Sequence, residues 1–234
     1  MRVIRHFLLL LAIGFLSAGV LLGIPLVPVR DGQATPPEQV IQVIDGDTIE
    51  IGDRIVRLFG IQAPELGQRC LHDGVWLHCG LDAAFELKKL VGVTQLQIIC
   101  TPVASLGSIP AVICMTGRTD IAHALLFGGY VTTTEEAGPA YKEAETEALH
   151  ARLGLWHSQF VAPADWRAGE RLPGQIEAEA DPCPIKAKVT ETGGRVFYVP
   201  TDADYLSVQT DPAKGDMLFC SVDTVRDAGW QHAH

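Results

Sequence analysis

Asp45 and Asp47 flank a glycine in Val43-Ile44-Asp45-Gly46-Asp47-Thr48-Ile49-Glu50-Ile51. Arg57 follows in Arg54-Ile55-Val56-Arg57-Leu58-Phe59, and Glu65 comes directly after Ala63-Pro64. Carboxylate oxygens are hard ligands for a calcium-like cation. A guanidinium fork matches the oxygens of a phosphate, and a positioned carboxylate can orient an attacking water. Each residue also has a plain structural reading. Asp-Gly is an ordinary turn dipeptide in which the aspartate bonds its own backbone. Arg57 could be a sheet-surface arginine paired with a carboxylate, and Glu65 a solvated loop charge.

The elements that must position these groups read as strands. Val40–Ile44, Thr48–Ile51 and Arg54–Phe59 are β-branched runs separated by Asp-Gly and Gly-Asp turns. Alternation along the third run puts Arg57 on the face opposite Val56 and Leu58. Leu81–Val91 has helical spacing, with Leu81, Phe85, Leu87 and Leu90 near one face and Lys88-Lys89 toward its end. Gln95–Thr101 and Ala111–Met115 read as two more strands, and Ile121–Phe127 and Ala140–Leu153 as helices. Five strands with about three interspersed helices fit an α+β β-barrel, the five-stranded Greek-key barrel of the OB-fold.

The Asp-Gly-Asp-Thr turn, the arginine-bearing strand and Ala63-Pro64-Glu65 together resemble the staphylococcal-type nucleases, the thermonuclease family. The resemblance covers roughly Gln39 to Phe160, through the helix leading to Gly154-Leu155-Trp156, and implies the same barrel fold. It implies phosphodiester hydrolysis with one calcium ion, a carboxylate that activates water, and two arginines. A cation and guanidinium forks neutralise charge on the phosphorane-like transition state. Carried over, Asp47 is a calcium ligand with Asp45 beside it, Arg57 is the first phosphate-clamping arginine, and Glu65 is the water-activating glutamate.

Two positions depart from that pattern. The family has a metal-binding aspartate two residues before the proline, as Asp-x-Pro-Glu, and here that position is Gln62. An amide oxygen coordinates calcium without the negative charge on which affinity depends, and the Ala63 carbonyl remains a candidate ligand. The family's second arginine lies in a turn before the strand at Ala111–Met115, where Ser108 falls in this chain, and no lysine or arginine occurs between Lys89 and Arg118. Loss of one preorganised transition-state donor costs about 10²–10³ in rate. Where the family carries aromatic residues that stack on a nucleotide, this chain has Val131-Thr132-Thr133-Thr134-Glu135-Glu136. The chain carries 28 acidic against 18 basic residues, a net charge of −10. That balance opposes a nucleic-acid track unless a local basic patch exists, and residues 39–160 contain none.

The rest of the chain concerns address and attachments. Met1-Arg2-Val3-Ile4-Arg5-His6 precedes an uncharged apolar run over 7–29, close to the ~20 residues that span a bilayer. It is read as an uncleaved signal anchor, with a signal peptide cleaved near Leu16-Ser17-Ala18 as the alternative. Arg2 and Arg5 would stay cytoplasmic, leaving everything after Arg30 outside the cytoplasm, periplasmic or at the cell surface. If the leader is cleaved, the protein is secreted. Six cysteines agree with that address and read most simply as three sequential disulfides, Cys70 with Cys79, Cys100 with Cys114 and Cys183 with Cys220, although connectivity is not fixed by sequence. His72 and His78 beside Cys70 and Cys79, and His232 and His234 with Cys183 and Cys220, offer weaker zinc readings.

The expected organisation is a membrane segment at 1–29, a linker at 30–38, the barrel domain at 39–160 and a Pro-, Ala-, Gly- and Glu-rich linker at 161–182. A small cysteine-containing module follows at 183–234. In it Lys186–Val189 and Arg195–Val199 form a hairpin across Thr192-Gly193-Gly194, and Val222–Ala228 forms a short helix. Its Cys-Pro-Ile-Lys, Phe-Tyr-Val-Pro, Phe-Cys-Ser and Ala-Gly-Trp pattern resembles the sunset domain appended to bacterial nuclease-like proteins, a likeness that gives architecture without chemistry. The leading expectation is a catalytically impaired barrel that binds a protein partner or ligand. The alternatives are an active calcium-dependent nuclease acting on DNA or RNA, with Arg118 or Arg69 standing in for the missing arginine, and a disulfide-held structural module.

Overall fold

The computed structural model describes residues 40–92, 98–103, 109–175 and 183–233 of the 234-residue chain. The apolar run 7–29, the linker 30–38 and Ser108 lie outside the described residues. Among the described residues no helix is long and apolar enough to cross a membrane.

The first three strands form a meander: β1 (Ile41–Val43), β2 (Thr48–Ile51) and β3 (Arg54–Leu58). The short β4 (Ile61–Gln62) follows, then a hairpin of β5 (Cys70–His72) and β6 (Val75–Leu77) that sequence patterning did not expose. Helix α1 (Cys79–Gly92) leads to β7 (Ile98–Val103), β8 (Ala111–Thr116) and the stub β9 (Thr119–Asp120). Helix α2 (Ile121–Phe127), strand β10 (Thr132–Thr133) and helix α3 (Pro139–Ala151) complete this half. The sheet runs in the order β1-β2-β3-β8-β7 and curls into a half-barrel, with β9 on β8 and the pair β10-β4 apart from it. Only β3 and β8 pair in parallel within it, Arg57 lying opposite Ala111.

Alternation explains which side chains turn inward. Val56 and Leu58 of β3 join Val43, Ile49, Val112 and Cys114 in the sheet's concave core, against Ala83 and Leu87 of α1 and Ile121, Leu125 and Leu126 of α2. Arg57 is thereby left on the opposite face, as strand periodicity requires. Asp120 caps α2 by accepting the His123 backbone N–H at 3.2 Å.

Residues 161–175 are not a bare connection. Val161 leads into helix α4 (Pro163–Arg167), which starts with proline at its first position and buries Trp166. The C-terminal part contains β11 (Ile185–Val189), β12 (Arg195–Tyr198), β13 (Met217–Phe219), helix α5 (Val222–Asp227) and β14 (Gln231–His232). Its four strands form a second sheet in the order β13-β11-β12-β14. Ile185, Ala187, Phe197, Val222, Val225 and Trp230 of this part share one core with Ile44, Leu66 and Ala84 from the first half. Helix α1 therefore serves two cores, Ala83 and Leu87 facing one and Ala84 the other. From residue 40 onward the described residues belong to one compact unit.

Backbone joints reinforce that shared core. The Gly67 N–H donates to the Cys220 carbonyl at 2.9 Å, and the Thr201 hydroxyl donates to the Val43 carbonyl. Cys70–Cys79, Cys100–Cys114 and Cys183–Cys220 are all disulfide-bonded. Three of the five helices among the described residues fall where helical spacing put them in the first half; α4 is the addition.

Candidate active site

The turn between β1 and β2 fixes Asp45 and Asp47. Asp45 Oδ1 accepts the backbone N–H groups of Asp47 at 3.0 Å and Thr48 at 2.7 Å, so its structural role as an Asx turn is realised. Asp47 Oδ1 accepts the Thr48 hydroxyl at 2.9 Å, and Oδ2 accepts the Ala63 N–H at 2.7 Å. Gly46 permits this packing, because a Cβ there would stand 2.6 Å from the Ala63 Cβ and 2.7 Å from that of Ala83. The turn, the Ala63 loop and α1 are thus held in contact by a missing side chain.

Glu65 is positioned from beneath. A Cβ on Gly80, in the first turn of α1, would come within 1.8 Å of the Glu65 carbonyl oxygen, so only glycine admits the Glu65 backbone there. The fully buried Gln68 accepts the Glu65 N–H at 3.3 Å and donates its amide to the Val161 carbonyl at 2.6 Å. One side chain therefore fixes both the glutamate and the residue that leads into α4.

Arg57 projects from β3 toward Asp47, its Nε 3.3 Å from Oδ1 in an ion pair. Its Nη2 donates to Asp223 Oδ1 at 3.0 Å, from the first turn of α5. Arg167, the last residue of α4, forks across two groups. Its Nη1 donates to Glu65 Oε1 at 2.9 Å and its Nη2 to Gln62 Oε1 at 3.0 Å. Trp166 holds α4 in place, with the Arg171 guanidinium 3.9 Å over its ring and bonded to its carbonyl at 2.8 Å.

Asp45, Asp47 and Glu65 are each about 5% exposed or less, so three carboxylates meet in a poorly solvated place. Burial first, then the Asp47 and Glu65 charges, push the Asp45 carboxyl well above its ordinary range. Burial also raises Glu65, opposed by its hydrogen bond from Arg167 and reinforced by Asp47. Burial disfavours the Arg57 charge, but Asp47, Asp45 and Asp223 outweigh it and hold the guanidinium firmly protonated.

Asp45, Asp47, Arg57, Gln62, Ala63 and Glu65, named from sequence, are brought together here. Arg167 and Asp223 were not named. Their only sequence signals are a lone tryptophan inside a Pro-, Ala-, Gly- and Glu-rich connection and an acidic residue after the Ser221 cap of a short helix. Arg118, one expected substitute for the second arginine, lies exposed in the turn after β8. Among the described residues no group of three or more His, Cys, Asp or Glu side chains stands close enough to hold a metal. Cys70 and Cys79 are oxidised, and His72 packs its ring against His157 at 4.3 Å between centroids. His232 sits between Glu50 and Asp202 rather than on cysteine sulfur.

Beside Arg57 runs a cleft of about 320 Å³, lined by Phe59, Ile109, Thr134, Glu136, Asp223 and Asp227 among others. Three carboxylates against one guanidinium give it a field that repels phosphate. No protein-family model matches this chain, and no curated protein matches it either.

Proposed function

We propose that this protein is a staphylococcal-nuclease-like OB-fold barrel of the extracytoplasmic space whose hydrolytic centre is closed by its own C-terminal half, and which acts by binding rather than by cleavage. The carrying observation is the Asp223 carboxylate, 3.0 Å from Arg57 Nη2, engaging the guanidinium that would otherwise grip a phosphate. The acidic lining of the adjoining cleft supports the same reading. So does Gln62 in place of a charged ligand. The three disulfides support an oxidising address, with the apolar leader as membrane anchor and calcium at most a weak ligand.

One observation favours an active phosphodiesterase instead. The Arg167 guanidinium lies on Glu65, so a second positive charge exists where the sequence lacked one. In that case Glu65 would orient water and Arg57 would neutralise transition-state charge.

Hydrolysis of single-stranded DNA by the full chain, with and without millimolar calcium, separates the two. The expected result is no cleavage by the wild type and cleavage gained by a Gln62→Asp/Ser108→Arg/Arg167→Met/Asp223→Asn variant. Calcium-dependent cleavage by the wild type that Glu65→Gln abolishes would overturn the binding reading.

A further inference from the structure

We infer that Arg167 is the resident cation of this site: its guanidinium takes the charge-neutralising place a divalent ion would fill, and the site is built to work without metal. The inference rests on the reading of these residues as a nuclease-like centre and gives the reason that centre is not a calcium site.

The hydrogen bonds and ion pairs on Asp47, Asp45, Glu65 and Gln62 carry it. Both oxygens of Asp47 accept a hydrogen bond, Oδ1 from the Thr48 hydroxyl and Oδ2 from the Ala63 N–H, and the Arg57 Nε stands 3.3 Å from Oδ1 as its ion-pair partner. Asp45 Oδ1 holds two backbone N–H groups. Glu65 Oε1 and Gln62 Oε1 are bridged by the two terminal nitrogens of Arg167. Calcium needs six to eight oxygens at about 2.3–2.6 Å, several of them charged. An ion joining Glu65 Oε1 to Gln62 Oε1 would have to fill the space the fork spans, so ion and guanidinium exclude one another. The neutral Gln62 fits this arrangement. An amide oxygen accepts one planar N–H without adding a fourth negative charge to three buried carboxylates.

The guanidinium is delivered by built structure rather than by a loose side chain. Proline starts α4, Trp166 is buried beneath it, Arg171 stacks on Trp166, and the buried Gln68 ties Val161 to the Glu65 backbone. Arg167 is 29% exposed in its side chain, while the Glu65 it covers is 6% exposed. A rigid fork over a buried carboxylate is the geometry in which arginine loses least entropy per bond formed.

The test is calorimetric titration of calcium into the full chain at neutral pH, with melting curves in 10 mM calcium or chelator as a second readout. The wild type should give no saturable binding and no shift in melting temperature. Gln62→Asp alone should remain without calcium binding, because Arg167 still occupies the carboxylates. Gln62→Asp combined with Arg167→Met, which keeps an apolar stem, should bind calcium at least tenfold more tightly than Gln62→Asp. Its melting temperature should rise by roughly 5 °C at a hundredfold excess over Kd. Saturable binding by the wild type overturns the inference. So does equal calcium binding by Gln62→Asp with and without Arg167. If the double variant does not fold, Gln62→Asp/Arg167→Gln, which removes the charge but keeps a polar side chain, replaces it under the same criteria. Because the readout is binding and not cleavage, nuclease activity in the wild type would sink the functional reading and leave this inference to the titration alone.

Discussion

Asp45 is a buried carboxylate crowded by two others. Burial, Asp47 and Glu65 all raise its pKa, so the folded chain holds that proton more tightly than the unfolded chain does. The sign follows from linkage: stability from this group is full below its unfolded value and is lost as pH rises through the raised folded value. Above the ordinary carboxylate range this group therefore costs stability. Asparagine keeps an Oδ1 acceptor for the Asp47 and Thr48 N–H groups without that charge. Asp45→Asn should stabilise the protein by about 0.5–2 kcal/mol at pH 7, the usual size of a single stabilising change. Urea melts at pH 7 and pH 4 would show the gain shrinking at the lower pH. A loss of stability at pH 7 would contradict the reading of Asp45 as a buried, repelled carboxylate.

Among the elements, the opening turn of α1 carries the tightest constraint. Gly80 lies against the Glu65 carbonyl, and the atom a substitution would strike is backbone, unable to swing away. Gly80→Ala should cost about 3 kcal/mol or more through forced separation of α1 from the Glu65 loop. The loss should appear in thermal melts, whereas Gly92→Ala, at the other end of the same helix in open space, should be tolerated. Equal effects of the two changes would mean that the close approach does not exist in solution. Helix α4 shows the opposite relation between sequence and element. Five residues with proline first and one buried tryptophan give little periodicity, yet they set the position of Arg167.

For the molecule as a whole, the second sheet is fastened to the first half by a buried imidazole. His232 on β14 has Nδ1 2.5 Å from Glu50 Oε2 on β2 and Nε2 3.1 Å from Asp202 Oδ1, with the Phe197 ring beside it. Burial alone would lower its pKa, but the two carboxylates outweigh burial and raise it. Both nitrogens face acceptors, so the doubly protonated ring is the form that fits. This contribution is fully present below the unfolded histidine value of about 6.5 and fades as pH climbs through the raised folded value. Stability of the full chain should fall on the alkaline side of neutrality, and His232→Phe should flatten that slope. An unchanged slope in the variant would remove His232 as the fastening.

Much of the first half was legible from the chain itself. Two-residue alternation placed Arg57 on the face opposite Val56 and Leu58, and Asp-Gly chemistry placed Asp45 and Asp47 at a turn. Helical spacing found α1, α2 and α3, because such signals are local and repeat within a few residues. The residue types at positions 47, 57, 62 and 65 carried the expectation of a site and the absence of a charge at Gln62. Partnership across the chain was decided only by tertiary structure. Glu65 and Arg167 are 102 residues apart in sequence, and Arg57 and Asp223 are 166 apart. No periodicity encodes such pairs. They arise because Ile44, Leu66 and Ala84 must be covered by the apolar face of the second sheet, and covering them brings α5 onto Arg57. The Gln68 bond to Val161 brings α4 onto Glu65. Hydrophobic burial chooses the packing, and the packing determines which charges meet.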